Sequence, residues 1–338
     1  MAPTLKLICD YSSARPLPGL VWAVRANRDG ATQQLEKGAP VTPIDSGWYW
    51  LHFGLADNRT HGFLDQLSLP AGAAELVHSG DEVQQIHIAD GFTYGLVADM
   101  QRGLDGAQDE SGFLHFIMAD RILITARRSS LHAPGAALQA LQRGLTIPSV
   151  EGLLEHIIME IVEGFDARIE KTADDVDRIE DRIIAGIIGN ARPRLGASRR
   201  LVVRIHRHVT GLRTMLQRLN RNAGTSEGLQ TLASNIVRQS EQLEHEIFGL
   251  RERTRLLQEE VAAMLAEETN KHLRVLSILS ILFIPPTFIG GLFGMNLKGI
   301  LFADMEHGFL AACLLAAACT GAVVWILRRS GILGRGGY

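Results

Sequence analysis

The chain has 338 residues, 46% of them hydrophobic and 21% charged, with a formal net charge of −3. That apolar content excludes disorder over most of its length. A pI near 6.5 argues against a general nucleic-acid binder, which carries a basic patch or stripe, so no nucleic-acid partner is expected.

Residues 1–10 hold no basic stretch followed by an apolar core, so no signal peptide is expected there. Residues 1–147 mix short β-rich runs with Gly and Pro breaks. Strands are expected at 5–8, 20–24, 48–53, 83–88, 94–97, 113–118 and 122–125. Residues 61–69 and 71–78 read as helices. This part is expected to be a cytoplasmic α/β domain.

After Pro148 the apolar spacing becomes helical, from Val150 through Leu154, Ile157, Ile161 and Phe165 to Ile183. A break at residues 189–193 ends this helix, and one at 222–228 ends the next. A third helix starts near Leu229 with a heptad-like stripe: Leu232, Ile236, Leu243, Ile247, Leu250, Leu257, Val261 and Met264. Residues 148–272 are therefore expected to be a helical bundle and stalk. No strong break separates the third helix from the apolar stretch that follows, so it runs for about 100 Å if unbroken. Such a helix needs partners, and the two shorter helices cover only part of it. Oligomerisation buries the rest.

Residues 275–295 and 309–327 carry no formal charge. Each is long enough to cross a hydrocarbon core of about 30 Å. A first span is expected at 273–295, a loop at 296–308, a second span at 309–327 and a tail at 328–338. Lys271 and Arg274 precede the first span, and Arg328, Arg329 and Arg335 follow the second. The loop has one base, Lys298, against Asp304 and Glu306. The positive-inside bias places both termini in the cytoplasm. The fold class is thus an α+β membrane protein with lipid as one partner. Cys9, Cys313 and Cys319 show no zinc spacing and read as small apolar residues.

At the far end of the first span stands Gly294-Met295-Asn296, closing the run from Pro285 to Asn296. Here the chain resembles the CorA-type metal-ion transporter superfamily, and residues 292–300 (LFGMNLKGI) look most like its ZntB-type zinc transporter branch. The resemblance implies a homopentamer around one central pore, lined by the first span of each subunit. Asn296 would present a ring of carbonyls to the entering ion, Gly294 would allow a tight turn, and Met295 would pack it. Pro285, Thr287 and Phe288 match a Pro-x-Thr-Phe element, which would put Thr287 in the pore. Zn²⁺ is the implied cargo, with uptake that the branch can couple to protons; a Mg²⁺, Co²⁺ or Ni²⁺ channel is the alternative within the superfamily. No prosthetic group is implied. A bacterial inner membrane is the expected location.

The residue types suit this chemistry. Neutral amide and hydroxyl oxygens replace or bond the water of a divalent ion without trapping it as carboxylates would. Helical spacing back from Thr287 gives Ile284, Ser280, Ser277 or Leu276, and Leu273 on one face. Apolar rings at Leu273, Leu276 or Ile284 suit gating by dewetting. No ionisable residue lies in 275–296, so proton coupling there cannot use a carboxylate or His. Lys298 and Leu301 depart from the branch pattern, and Lys298 sets positive charge near the mouth.

Plainer readings stand beside these. Gly294-Met295-Asn296 could be a simple helix cap, and the two prolines could only kink a span. Asp304, Glu306 and His307 read as a metal-binding loop or as a solvated one. Glu259, Glu260, Glu267 and Glu268 read as an acidic ring that concentrates cations or as a solvated, salt-bridged face. His206 and His208 lie two apart on a helix and face different ways. A non-transporting membrane-anchored scaffold or sensor remains as the second function class. No Walker loop, nucleophile elbow, zincin helix or dinucleotide fingerprint is present, so no enzyme activity is expected.

Overall fold

The computed structural model describes residues 3–36, 38–80, 83–101, 111–221, 225–295 and 307–329, with side chains from residue 6. Fifteen elements follow in chain order: α1 (Pro3–Ala14), β1 (Leu20–Ala26), β2 (Thr32–Gln34), β3 (Trp48–Gly54), α2 (Asn58–Leu64), α3 (Ala71–His78), β4 (Gln85–Ala89), β5 (Phe92–Met100), β6 (Ser111–Ala119), β7 (Ile122–Arg127), α4 (Ala133–Gln142), α5 (Val150–Ile184), α6 (Ala191–Arg221), α7 (Glu227–Gly294) and α8 (Gly308–Arg329). They divide into two compact units, Met1–Gln258 and Glu259–Tyr338.

The first unit is built on one sheet of order β2-β1-β3-β7-β6-β5-β4. Every pairing is antiparallel except β3 with β7. Strand β3 is buried almost throughout, so both faces of the sheet are covered. Alternation along it sends Tyr49, Leu51 and Phe53 into a core with Ile8, Phe63, Leu64 and Leu76 from α1, α2 and α3. Trp48, Trp50 and His52 point the other way, toward the side where α4 and α5 pack. There Trp48 Nε1 donates to the Ile147 carbonyl at 2.9 Å. Gly30 allows this linker to close down: its φ is +78° and an added Cβ would lie 2.6 Å from the Ile147 backbone.

The expected strand at 5–8 is a correction, because these residues lie in α1. Ile8, Cys9 and Ser12 are buried, a helical spacing, and Tyr11 stacks edge-on to Phe63 at 4.8 Å. A four-residue apolar run does not separate strand from helix, and tertiary packing decided. Helix α2 starts and ends earlier than the expected 61–69, since Asp57 accepts the Arg59 amide at 3.0 Å and caps it. Strand β2 and helix α4 carried no sequence signal that was read. The break expected at 189–193 is shifted, because α6 already begins at Ala191.

Helix α5 is capped by Ser149 Oγ, which accepts the Gly152 amide at 3.1 Å. Leu154, Ile157, Ile161, Phe165, Val176 and Ile183 are buried along it. The stripe on α7 is buried from Leu232 to Leu257, as packing requires. Polar contacts fix this part of α7 laterally. Glu244 accepts from Thr210 Oγ1 at 2.9 Å and meets Arg213 at 3.3 Å, and Arg253 pairs with Asp177 and Glu180 of α5.

Buried titratable groups set an acid response. Arg127 Nε donates to His52 Nε2 at 2.9 Å, so the His52 proton sits on Nδ1 and is donated to Thr125 Oγ1 at 2.8 Å. Burial, and then the Arg127 charge, hold His52 well below the usual imidazole range. Burial pushes His115 and His208 down to about 4. Between pH 6.5 and 4 the unfolded chain therefore binds protons that the folded chain does not, and stability falls with falling pH. Asp99 is pushed up to about 7 by burial and acts in the opposite sense, losing stability as pH rises from 4 to 7. In urea titrations followed by tryptophan fluorescence, the midpoint is expected to drop below pH 6.5. His115→Gln should flatten that drop and Asp99→Asn should steepen it.

A core test follows from the fully buried Ile157. Ile157→Ala should cost about 2–5 kcal/mol, read as a lower urea midpoint at pH 7.

Candidate functional site

Helix α7 has 68 residues and continues through Pro285 and Pro286 to Gly294. From 273 onward most of its side chains are exposed, and the few covered ones gather on one side. Ile278, Leu282, Pro285, Pro286 and Phe293 are half-buried, and Ile289 is only 7% exposed. At 100° per residue these all fall on one side of the helix. Leu273, Leu276, Ser277, Ser280, Ile284 and Thr287 are all exposed. They fall on the other side, within an arc of about 100°. The residues singled out for the pore thus share one uncovered stripe. The prolines lie away from it.

The hydroxyls on this stripe are oriented by the helix. Ser280 Oγ donates to the Leu276 carbonyl at 2.9 Å, and Thr287 Oγ1 donates to Phe283 at 2.8 Å. With the proton turned back onto the helix, the remaining lone pairs point outward. That is the polarity a cation or the oxygen of its water shell requires. Thr269 was not picked out from the sequence, yet it lies on the same stripe and donates to Leu265 at 2.8 Å. Extending the helical spacing one more step back from Leu273 would have found it. Pro285 and Pro286 lack amide hydrogens, so the carbonyls of Ile281 and Leu282 lose their usual helical donors.

The end of the stripe is partly described. Gly294 is the last residue of α7. Its φ is not positive, and an added Cβ would meet nothing within 4 Å, so the backbone of this chain makes no tight turn at Gly294 that demands glycine. Met295 is 46% exposed in the single chain. Asn296, Lys298, Leu301, Asp304 and Glu306 lie outside the described residues. His307 is exposed just before α8 and its carbonyl accepts the Ala311 amide at 3.0 Å.

The four acids near the first span do not gather on the stripe. Glu259, Glu260, Glu267 and Glu268 are exposed. Helical spacing puts Glu260, Glu267 and Glu268 on the far side, while Glu259, five turns before Ser277, falls at the edge of the stripe. Glu267 pairs with Lys271 at 2.9 Å, an exposed i,i+4 contact of little energetic weight. His206 and His208 are separate, as their spacing implied: His208 stacks on Phe165 and meets Ser111 Oγ at 3.0 Å. Among the described residues no group of three His, Cys, Asp or Glu side chains could hold a metal ion.

Both α7 and α8 contain stretches long and apolar enough to cross a membrane, and those stretches are only 6% buried. A family model for the CorA-like Mg²⁺ transporter protein matches residues 45–329. The chain belongs to this CorA-like family. Family membership and the two apolar helices together make it a membrane protein, and the family is one of transporters rather than an enzyme class.

Among CorA-family relatives, the zinc transport protein ZntB of Pectobacterium carotovorum is 24% identical over 289 residues, 83% of this chain and 86% of that protein. The zinc transport protein ZntB of Photorhabdus laumondii is 22% identical over 335 residues, 95% of this chain and 98% of that one. The full-length CmaX structure superposes with a TM-score of 0.75 at 21% identity, over 92% of this chain and 97% of that one. The complete CorA magnesium transporter from Methanocaldococcus jannaschii does so with a TM-score of 0.68 at 17% identity, over 93% and 99%. These two structures show the shared fold.

The two faces of α7 differ in a measurable way. In a background with the three native cysteines replaced by alanine, single cysteines at 276, 280 and 287 should react with a membrane-impermeant, water-soluble thiol reagent. Cysteines at 278, 282 and 289 should not. Equal labelling of both faces would show that the stripe does not face water.

Proposed function

We propose that this protein carries divalent metal cations across the inner membrane through the centre of a homopentamer, with both termini cytoplasmic and Zn²⁺ as the physiological cargo. The observation that carries the reading is the stripe on α7. It is uncovered within the subunit, it lies opposite the covered face, and it presents hydroxyl oxygens with their protons turned away. Five such stripes around an axis make alternating polar and apolar rings. Asn296 closes the path at the mouth with amide oxygens.

Selectivity at such a mouth rests on hydrated ions. Neutral oxygens interact with the water shell and let the ion leave again, which charged ligands would not. A potential of −100 mV supplies about 4.6 kcal/mol to each inward divalent ion, at about 2.3 per charge. That suffices for uptake without coupling. Proton coupling, if used, runs outside residues 275–296, where no side chain titrates. The naming of the curated relatives as zinc transport proteins favours Zn²⁺ over Mg²⁺. The segment after α7 carries one base, Lys298, against the acids Asp304 and Glu306.

The test is ion flux into liposomes holding the purified protein, with Zn²⁺, Mg²⁺, Co²⁺ or Ni²⁺ outside and with or without an acidic exterior. Zn²⁺ should enter fastest. Asn296→Ala should abolish flux while the pentamer mass in detergent is kept. Thr287→Val, which keeps the shape and removes the oxygen, should slow flux by roughly tenfold, the change that 1.4 kcal/mol of barrier produces. Mg²⁺ outrunning Zn²⁺ would move the cargo to the magnesium side of the family. A monomer, or a pentamer that passes no ion, would leave the anchored scaffold as the working reading.

A further inference from the structure

The near-neutral chain conceals a strongly basic helix. Helix α6 has nine arginines and no Asp or Glu. Helical spacing places Arg200, Arg204, Arg207 and Arg218 on one face, with Gly211 and Thr214 between them. That face borders β4, the last strand of the sheet. The two elements meet closely. Gln84 Nε2 donates to the His208 carbonyl at 2.8 Å, and a Cβ on Gly211 would lie 2.6 Å from the same nitrogen.

Between β4 and α6 runs a groove of about 980 Å³ within the first unit. Its floor includes Ile86, Ile88 and Met215. Its basic wall includes Arg207 and Arg218. Both arginines are exposed, and among the described residues neither has an ion-pair or hydrogen-bond partner. Among the described residues, strand β4 pairs with β5 on one side only. In an antiparallel ladder, alternate residues therefore direct both N–H and C=O away from the sheet. Val83, at the entry to this edge, is 65% exposed.

We propose that this groove receives an extended acidic segment of a partner protein, which adds to the sheet beside β4 and sets its carboxylates on Arg207 and Arg218. The edge offers donors and acceptors in alternation, which a peptide backbone matches. A phosphate surface, from lipid or nucleic acid, supplies acceptors alone and would meet the outward carbonyls unfavourably. A second copy pairing through its own β4 fits poorly, because Gln85–Ala89 contains no acid and leaves the arginines unmatched. The spacing defines the ligand further. Arg207 and Arg218 stand about 16 Å apart along α6. Two acids four residues apart on an extended chain span about 13 Å on one face, within reach of both flexible arginines. An apolar residue midway between them lands between Gly211 and Thr214. This site is independent of the ion path and does not rest on the transport reading.

The experiment uses the full-length protein in nanodiscs and a fluorescein-labelled decapeptide with two glutamates four residues apart and a valine midway. Anisotropy at low salt should show saturable binding. Replacing the glutamates with lysine, or placing proline beside the valine, should each weaken binding by roughly tenfold or more. The Arg207→Glu/Arg218→Glu variant, with circular dichroism and oligomer mass matching the parent, should do the same. No binding of the acidic peptide to the parent protein overturns the proposal. Binding indifferent to the proline overturns strand addition, since it would report charge alone. A change of oligomer mass in the double variant overturns the assignment too, by showing that the groove is covered by another copy. The lysine and proline peptides keep the test decisive even where the double variant does not fold.

Discussion

The architecture depends on one helix keeping its backbone bonded to itself while its surroundings change. Helix α7 begins beside α5 and α6 with a single apolar stripe and ends among residues that are apolar on nearly every side. A strand or an irregular segment could not make that passage, because hydrocarbon leaves no partner for a free amide or carbonyl. Within the apolar stretch, the carbonyls of Ile281 and Leu282 lose their helical donors, and they do so at a proline pair on the covered side. The packing demands on the two ends are different. Near Leu232 and Ile247 one stripe is buried, and apolar area selects the face. Beyond Leu273 only a narrow face that includes Leu282 and Ile289 is covered, and the hydroxyls of Ser280 and Thr287 lie on the side away from it.

Electrostatics follows the same division. The stripe carries hydroxyls and no charge, so it presents dipoles rather than a charged well. The first unit, by contrast, holds its charges in opposition. Acid-rich α5 and acid-free α6 pack together, and Arg213 and Arg253 tie them to α7 through Glu244, Asp177 and Glu180. A formal charge of −3 sums over this separation and hides it. The basic face of α6 is therefore a surface property that composition alone argues away.

Much of the fold was legible. Period-two runs marked most strands within a residue or two, and the helical spacing after Pro148 marked α5, α6 and α7. Residues 5–8 are too short a run to show a period, and burial of Ile8, Cys9 and Ser12 in the core beside α2 settled them as helix. Helix α4 is short and alanine-rich, and its identity comes from Asp99, distant in sequence, which accepts the Ala133 amide at 2.9 Å. Gly294 closes α7, and the segment that follows Met295 lies outside the described residues. For the candidate site, spacing alone grouped Leu273, Leu276, Ser280, Ile284 and Thr287, since a helix converts sequence interval directly into angle.

The sequence by itself determined the order of elements, the two apolar stretches, and the polar stripe with its Gly-Met-Asn end, because these depend on local period and composition. Tertiary structure decided which side of that stripe is covered, since only packing places Ile289 and Leu282 inside and Thr287 outside. It also decided that β4 lies at the sheet edge beside the arginines of α6. Those two elements are over a hundred residues apart, and no local interval encodes the contact of Gln84 with His208.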